Sequence, residues 1–223
     1  MSGNKNKMVR YNPLAPIPKG GINDYYLYIY PDVPERCERG FVGYIGNSKD
    51  LNLKIELEIN TEWMIEHNQA SLVFICDRDN PSNATLVMTA RFFDTLRRTP
   101  YLKFGLWHEV GHYHTLRYFD YEADENGSTQ KARTKYLEQG EVAPAEVAAD
   151  IFALYYTSKD VAIEYLSESI RIRRTYTWEP PERTQMAIEE FRLRKRILRD
   201  LDTDEKARDA LCKLCKRKSF YRI

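Results

Sequence analysis

The segment Gly105–Thr115, GLWHEVGHYHT, holds three of the four histidines of a 223-residue chain. His108 and His112 flank a glutamate in the pattern H-E-x-x-H. On a helix, residues four apart share a face, so both imidazoles can turn toward one ion. Glu109 falls beside that face, where its carboxylate can hold a water on the ion but is poorly placed as a third ligand from the same turn. A catalytic zinc needs three protein ligands and one open position. The motif supplies two. No histidine follows His114, so the third ligand is a carboxylate or lies upstream.

The segment PAEVAADIFALYYTS (144–158) reads as a helix that is apolar on most faces and therefore buried, with Pro144 in its first turn. It carries Glu146 and, four residues on along the same face, Asp150. Two aligned carboxylates on a buried helix are unfavourable unless a cation or hydrogen bonds compensate them. Glu146 as the third ligand, with Asp150 taking the outer N–H of a ligand histidine, satisfies both.

H-E-V-G-H at 108–112 followed by E-V-A-A-D at 146–150 resembles the gluzincin group of zinc metallopeptidases and, within it, is most similar to the ImmA/IrrE-type peptidases. The resemblance covers about residues 70–157 and implies a zincin-like fold. It also implies Zn2+ held by His108, His112 and Glu146, with Glu109 as general base and then acid, and Asp150 as the orienting carboxylate outside the ligand set. It further implies a strand around 84–89, at the sheet edge, that holds an extended peptide by strand addition. The residue that stabilises the oxyanion is left open among Tyr113, His114, Tyr155 and Tyr156.

The surrounding elements must position these groups. A β pattern starts at Phe41: FVGYIG, a turn, and LNLKIELEI, whose Leu51, Leu53, Ile55, Leu57 and Ile59 alternate with polar residues. SLVFICD and ATLVMT follow, joined by RDNPSN. ARFFDTLRR reads as a short helix and YLKFGLWHEVGHYHTLRYF as a longer one. From about Asp120 to Gly140 the composition predicts an exposed loop with one helical turn at most. Residues 159–174, 181–200 and 203–217 read as helices. Strands precede helices, which predicts an α+β fold: a small, mainly antiparallel sheet, an active-site helix pair and a helical C-terminal region. The expected divisions are a flexible arm over 1–23, a metallopeptidase domain over 24–158 and a helical region over 159–223.

Lys and Arg number 34 against 33 Asp and Glu, a formal charge of +1 that disfavours nucleic acid as a partner. The basic ending CKRKSFYRI is diluted by the acidic stretch before it. No apolar run is long enough to cross a bilayer, and the opening residues lack the apolar core of a secretory signal. The expectation is a cytoplasmic protein without membrane contact, in which Cys37, Cys76, Cys212 and Cys215 stay reduced. His67, His114 and the Cys212-x-x-Cys215 pair read as ordinary side chains. The expected function is a zinc-dependent endopeptidase acting on a protein or peptide. The alternative is a non-catalytic regulatory protein on the same fold, binding a partner through its C-terminal helices.

Overall fold

The computed structural model of the chain describes residues 25–34, 37–47, 54–67, 72–76, 84–96, 98–99, 101–115, 130–175, 180–201, 206–207, 209–210 and 214. The expected arm over 1–23, the Cys212-x-x-Cys215 pair and the basic ending lie outside these residues. The architecture is α+β. Strands β1 (Tyr25–Ile29), β2 (Arg39–Asn47), β3 (Lys54–Asn60), β4 (Leu72–Cys76) and β5 (Ala84–Met88) form one sheet in the order β1-β2-β3-β5-β4. The sheet is mixed, because β5 runs parallel to β3 while the other pairings are antiparallel. β1 adds an aromatic strand ahead of the β pattern that begins at Phe41.

In β3 the alternation works as read. Ile55, Leu57 and Ile59 are buried, and Glu56 and Glu58 between them are half-buried. Leu51 and Leu53 lie outside the described residues. The strand around 84–89, expected at the sheet edge, is instead interior: β5 is hydrogen-bonded to β3 on one side and β4 on the other. Ala84, Leu86, Val87 and Met88 are all buried, since the main core covers one face and α1 (Thr61–Glu66) lies against the strand. A strand covered in this way shows a continuous apolar run rather than alternation. The edge on this side is β4, where Ile75 is exposed.

The helices bounded within the described residues after β5 are α2 (Ala90–Leu96), α3 (Leu102–Thr115), α4 (Gln130–Glu138), α5 (Pro144–Leu154), α6 (Lys159–Arg173) and α7 (Pro181–Asp200). Local chemistry fixes several starts. The Asn60 side chain accepts from Trp63 N at 3.2 Å, and the Ser158 hydroxyl accepts from Val161 N at 3.3 Å, so each satisfies an otherwise orphaned first-turn amide. Pro144 and Pro181 occupy first-turn positions, where a missing N–H is harmless. α4 corrects the expected loop from Gln130 to Glu138, while residues 120–129 lie outside the described residues. Its helix-forming residues run for nine positions and stop at Gly140, whose φ of 71° admits the left-handed ending.

The inner sheet face packs against Phe93, Phe104, Leu106 and Val110 from α2 and α3. Leu166 of α6 and Leu198 of α7 belong to the same buried cluster, so the C-terminal helices share the core with the sheet. Among the described residues, no helix is long and apolar enough to cross a membrane.

Candidate metal centre

Among the described helices, α3 and α5 pack against each other most extensively, and a glycine permits their close approach. A Cβ on Gly111 would lie 2.8 Å from Ala149 Cα and 2.9 Å from Ala149 O, both backbone atoms that no rotamer change can move. The glycine of HEVGH and the alanine of EVAAD are therefore where the two helices touch. Gly111 precedes His112, and Ala149 precedes Asp150, so the contact brings the polar groups of both segments together.

His108 Nδ1 lies 2.8 Å from Asp150 Oδ1. An ionised aspartate only accepts, so Nδ1 carries the proton and Nε2 faces the other way. His108 Nε2 is 3.0 Å from His112 Nε2 and 3.3 Å from Glu146 Oε2, and His112 Nε2 is 3.6 Å from Glu146 Oε1. The two rings stand nearly perpendicular, at 84°. Ligand atoms held about 2.0–2.1 Å from a tetrahedral zinc are about 3.3–3.4 Å apart. The three observed separations bracket that edge length. Glu109 is half-buried and groups with the two imidazoles, the ligand atoms of all three lying within 4.8 Å of one another.

Two further side chains enter from α7 and were not singled out by the sequence reading. Arg194 is buried and forks onto Asp150, with Nε donating to Oδ2 at 2.8 Å and Nη2 to Oδ1 at 2.6 Å. Its Nη1 donates to Glu146 Oε2 at 3.3 Å and stands 3.8 Å from Glu190 Oε1. Arg194 Nη2 also lies 3.1 Å from His108 Nδ1, a proximity that follows from two donors sharing Asp150 Oδ1. Glu146, Asp150 and Glu190 are all buried around this one guanidinium. Acidic groups gathered beside two imidazoles suit a cation. The donor set and the charge therefore both fit a divalent ion.

The electrostatics follow from this crowding. Burial and the Arg194 charge push the His108 pKa down, but the Asp150 charge and the hydrogen bonds to Asp150 and Glu146 outweigh them and raise it to about 9. Burial pushes Asp150 up, yet Arg194 and His108 hold it below its usual value. Burial lifts Tyr165, on α6 beside Gly105, to about 12.

Without metal, His108 thus binds a proton more tightly in the folded chain than in the unfolded one, where its pKa is about 6.5. A raised folded pKa contributes stability that is full below about pH 6.5 and lost as pH rises through about 9. Chelator-treated protein is expected to lose about 1–3 kcal/mol of stability across that window. Metal-loaded protein should lose much less, because the ion takes the proton's place. Thermal melts from pH 6 to 9.5, with and without chelator, check this; a melting temperature that rises with pH in chelator contradicts it.

His67 is exposed and stacks on Trp63 with ring centroids 4.1 Å apart. Tyr156 stacks on Trp107 at 4.0 Å. The His114 side chain lies outside the described residues. No family model, no curated protein and no solved structure matches this chain.

Proposed function

We propose that this chain is a zinc-dependent endopeptidase of gluzincin type, in which His108, His112 and Glu146 hold the metal. The observation that carries the proposal is the convergence of two imidazole nitrogens and one carboxylate at 3.0–3.6 Å inside a buried, acid-rich cluster. Resemblance of HEVGH and EVAAD to the ImmA/IrrE-type peptidases supports the same reading. Zinc bound there supplies a Lewis acid that polarises the scissile carbonyl and lowers the pKa of water toward neutrality.

The chain's own residues do the rest. Glu109 takes a proton from the attacking water and passes it to the nitrogen of the leaving amine. Asp150 holds His108 with Nδ1 protonated, so that Nε2 is free to bind the metal. A peptide lies extended along an edge strand, and the strand that offers an edge beside α3 is β4. Specificity then falls to side chains of β4 and of the α3–α5 connection.

The test is metal analysis of the purified full chain combined with cleavage of an unfolded protein substrate such as casein. About one zinc per chain is expected, with cleavage lost on chelation and restored by zinc. A chain that takes up no zinc, or cleavage indifferent to chelation, overturns the proposal.

A further inference from the structure

We infer that Arg194 is a positioning residue of the metal centre, acting through Asp150, and that α7 is therefore part of the site. The inference rests on the metal-binding half of the proposed function and not on peptide cleavage.

A carboxylate on a helix can rotate about two side-chain bonds, and only some of its orientations direct an oxygen at His108 Nδ1. Arg194 removes that freedom. Its Nε and Nη2 engage both oxygens of Asp150, at 2.8 and 2.6 Å, in the planar fork that guanidinium and carboxylate share. With both oxygens fixed, Oδ1 has one place to be, 2.8 Å from His108 Nδ1. The third arm, Nη1, restrains Glu146 Oε2 at 3.3 Å, so one side chain sets two groups of the centre. Arg194 is itself held, since it is buried, has Glu190 one turn back at 3.8 Å, and has its guanidinium carbon 5.5 Å from the Phe191 ring centroid.

The position is unusual for an arginine. Ile188, Phe191 and Leu198 mark the inward stripe of α7, and Arg194 lies on it, three residues after Phe191 and four before Leu198. A leucine there would satisfy packing alone. A buried guanidinium is favourable only because the carboxylates of α5 need it.

Lysine separates shape from charge, because it keeps the positive charge and cannot fork. In Arg194→Lys, zinc affinity is expected to fall roughly 10–100-fold, as when an outer partner of a ligand histidine is lost. Competition with a chromophoric chelator measures this. Two readouts distinguish positioning from general support. The visible absorption of the Co2+-loaded protein should change as the His108 ligand reorients, and the slowly exchanging His108 Nδ1 proton should disappear from the NMR spectrum. Asp150→Asn should do the same, and the double variant should lose clearly less than the sum of the two single losses, since most of the arginine's effect passes through the aspartate.

A folded Arg194→Lys with unchanged Co2+ absorption and an intact Nδ1 proton overturns the inference, as does full additivity in the double variant. Should Arg194→Lys fail to fold, the unaltered chain decides. The Arg194 Nε and His108 Nδ1 protons must both be protected from exchange, and rapid exchange at Arg194 overturns it. If the unaltered chain binds neither Zn2+ nor Co2+, the proposed function falls and takes this inference with it; if it binds both and only the variant results fail, the inference alone falls.

Discussion

Glu109→Gln is expected to keep the metal and lose hydrolysis. The amide matches the carboxylate in size and cannot take up a proton at neutral pH. A positioned general base contributes roughly 10²–10⁴-fold, about 3–5 kcal/mol of barrier. Metal content should hold under the proposed ligand set, in which His108, His112 and Glu146 converge at 3.0–3.6 Å and Glu109 acts on the water rather than on the ion. Single-turnover cleavage of a peptide by the zinc-loaded variant, alongside its metal analysis, gives both numbers from one preparation. Cleavage within a factor of a few of the unaltered chain removes Glu109 from the chemistry. Loss of metal would instead make it a ligand.

The parts of the site visible in the sequence are those with a local period. Spacing of four placed His108 with His112 and Glu146 with Asp150, and in both cases the helix delivers the shared face that the spacing requires. The buried carboxylates were legible too, because acids at positions 146 and 150 interrupt an otherwise apolar helix. Arg194 carried the same kind of signal, a charge on the inward stripe of α7. There it was masked by abundance: the segment FRLRKRILRD is crowded with arginines, and only the tertiary partner distinguishes Arg194 from its neighbours. The order of the sheet was not legible. An apolar run such as ATLVM suits any strand covered on both faces, and only pairing shows that β4 lies outside β5. α4 was missed because its apolar content is slight, so helix propensity and contact with α7 carry it rather than an apolar stripe.

Glu146→Gln should do the opposite of Glu109→Gln. Glutamine preserves the volume of the side chain and leaves an oxygen for Arg194 Nη1, so the α5–α7 contact has no reason to open. What disappears is the anionic ligand and its negative charge. Zinc sites in small domains bind with about 10–16 kcal/mol over four ligands, a share of about 2.5–4 kcal/mol each, which corresponds to an affinity loss on the order of 10²–10³-fold. The metal-free variant should melt close to the metal-free parent, because Arg194 still grips Asp150 through two hydrogen bonds. Stabilisation by added zinc should shrink at any concentration that saturates the parent but not the variant. Both Gln variants remove one negative charge from the α3–α5 helix pair, so a purely electrostatic attraction for cations would weaken in both alike. Only direct ligation by Glu146 predicts that one variant keeps its zinc while the other releases it, and equal affinities in the two would leave the third ligand unassigned.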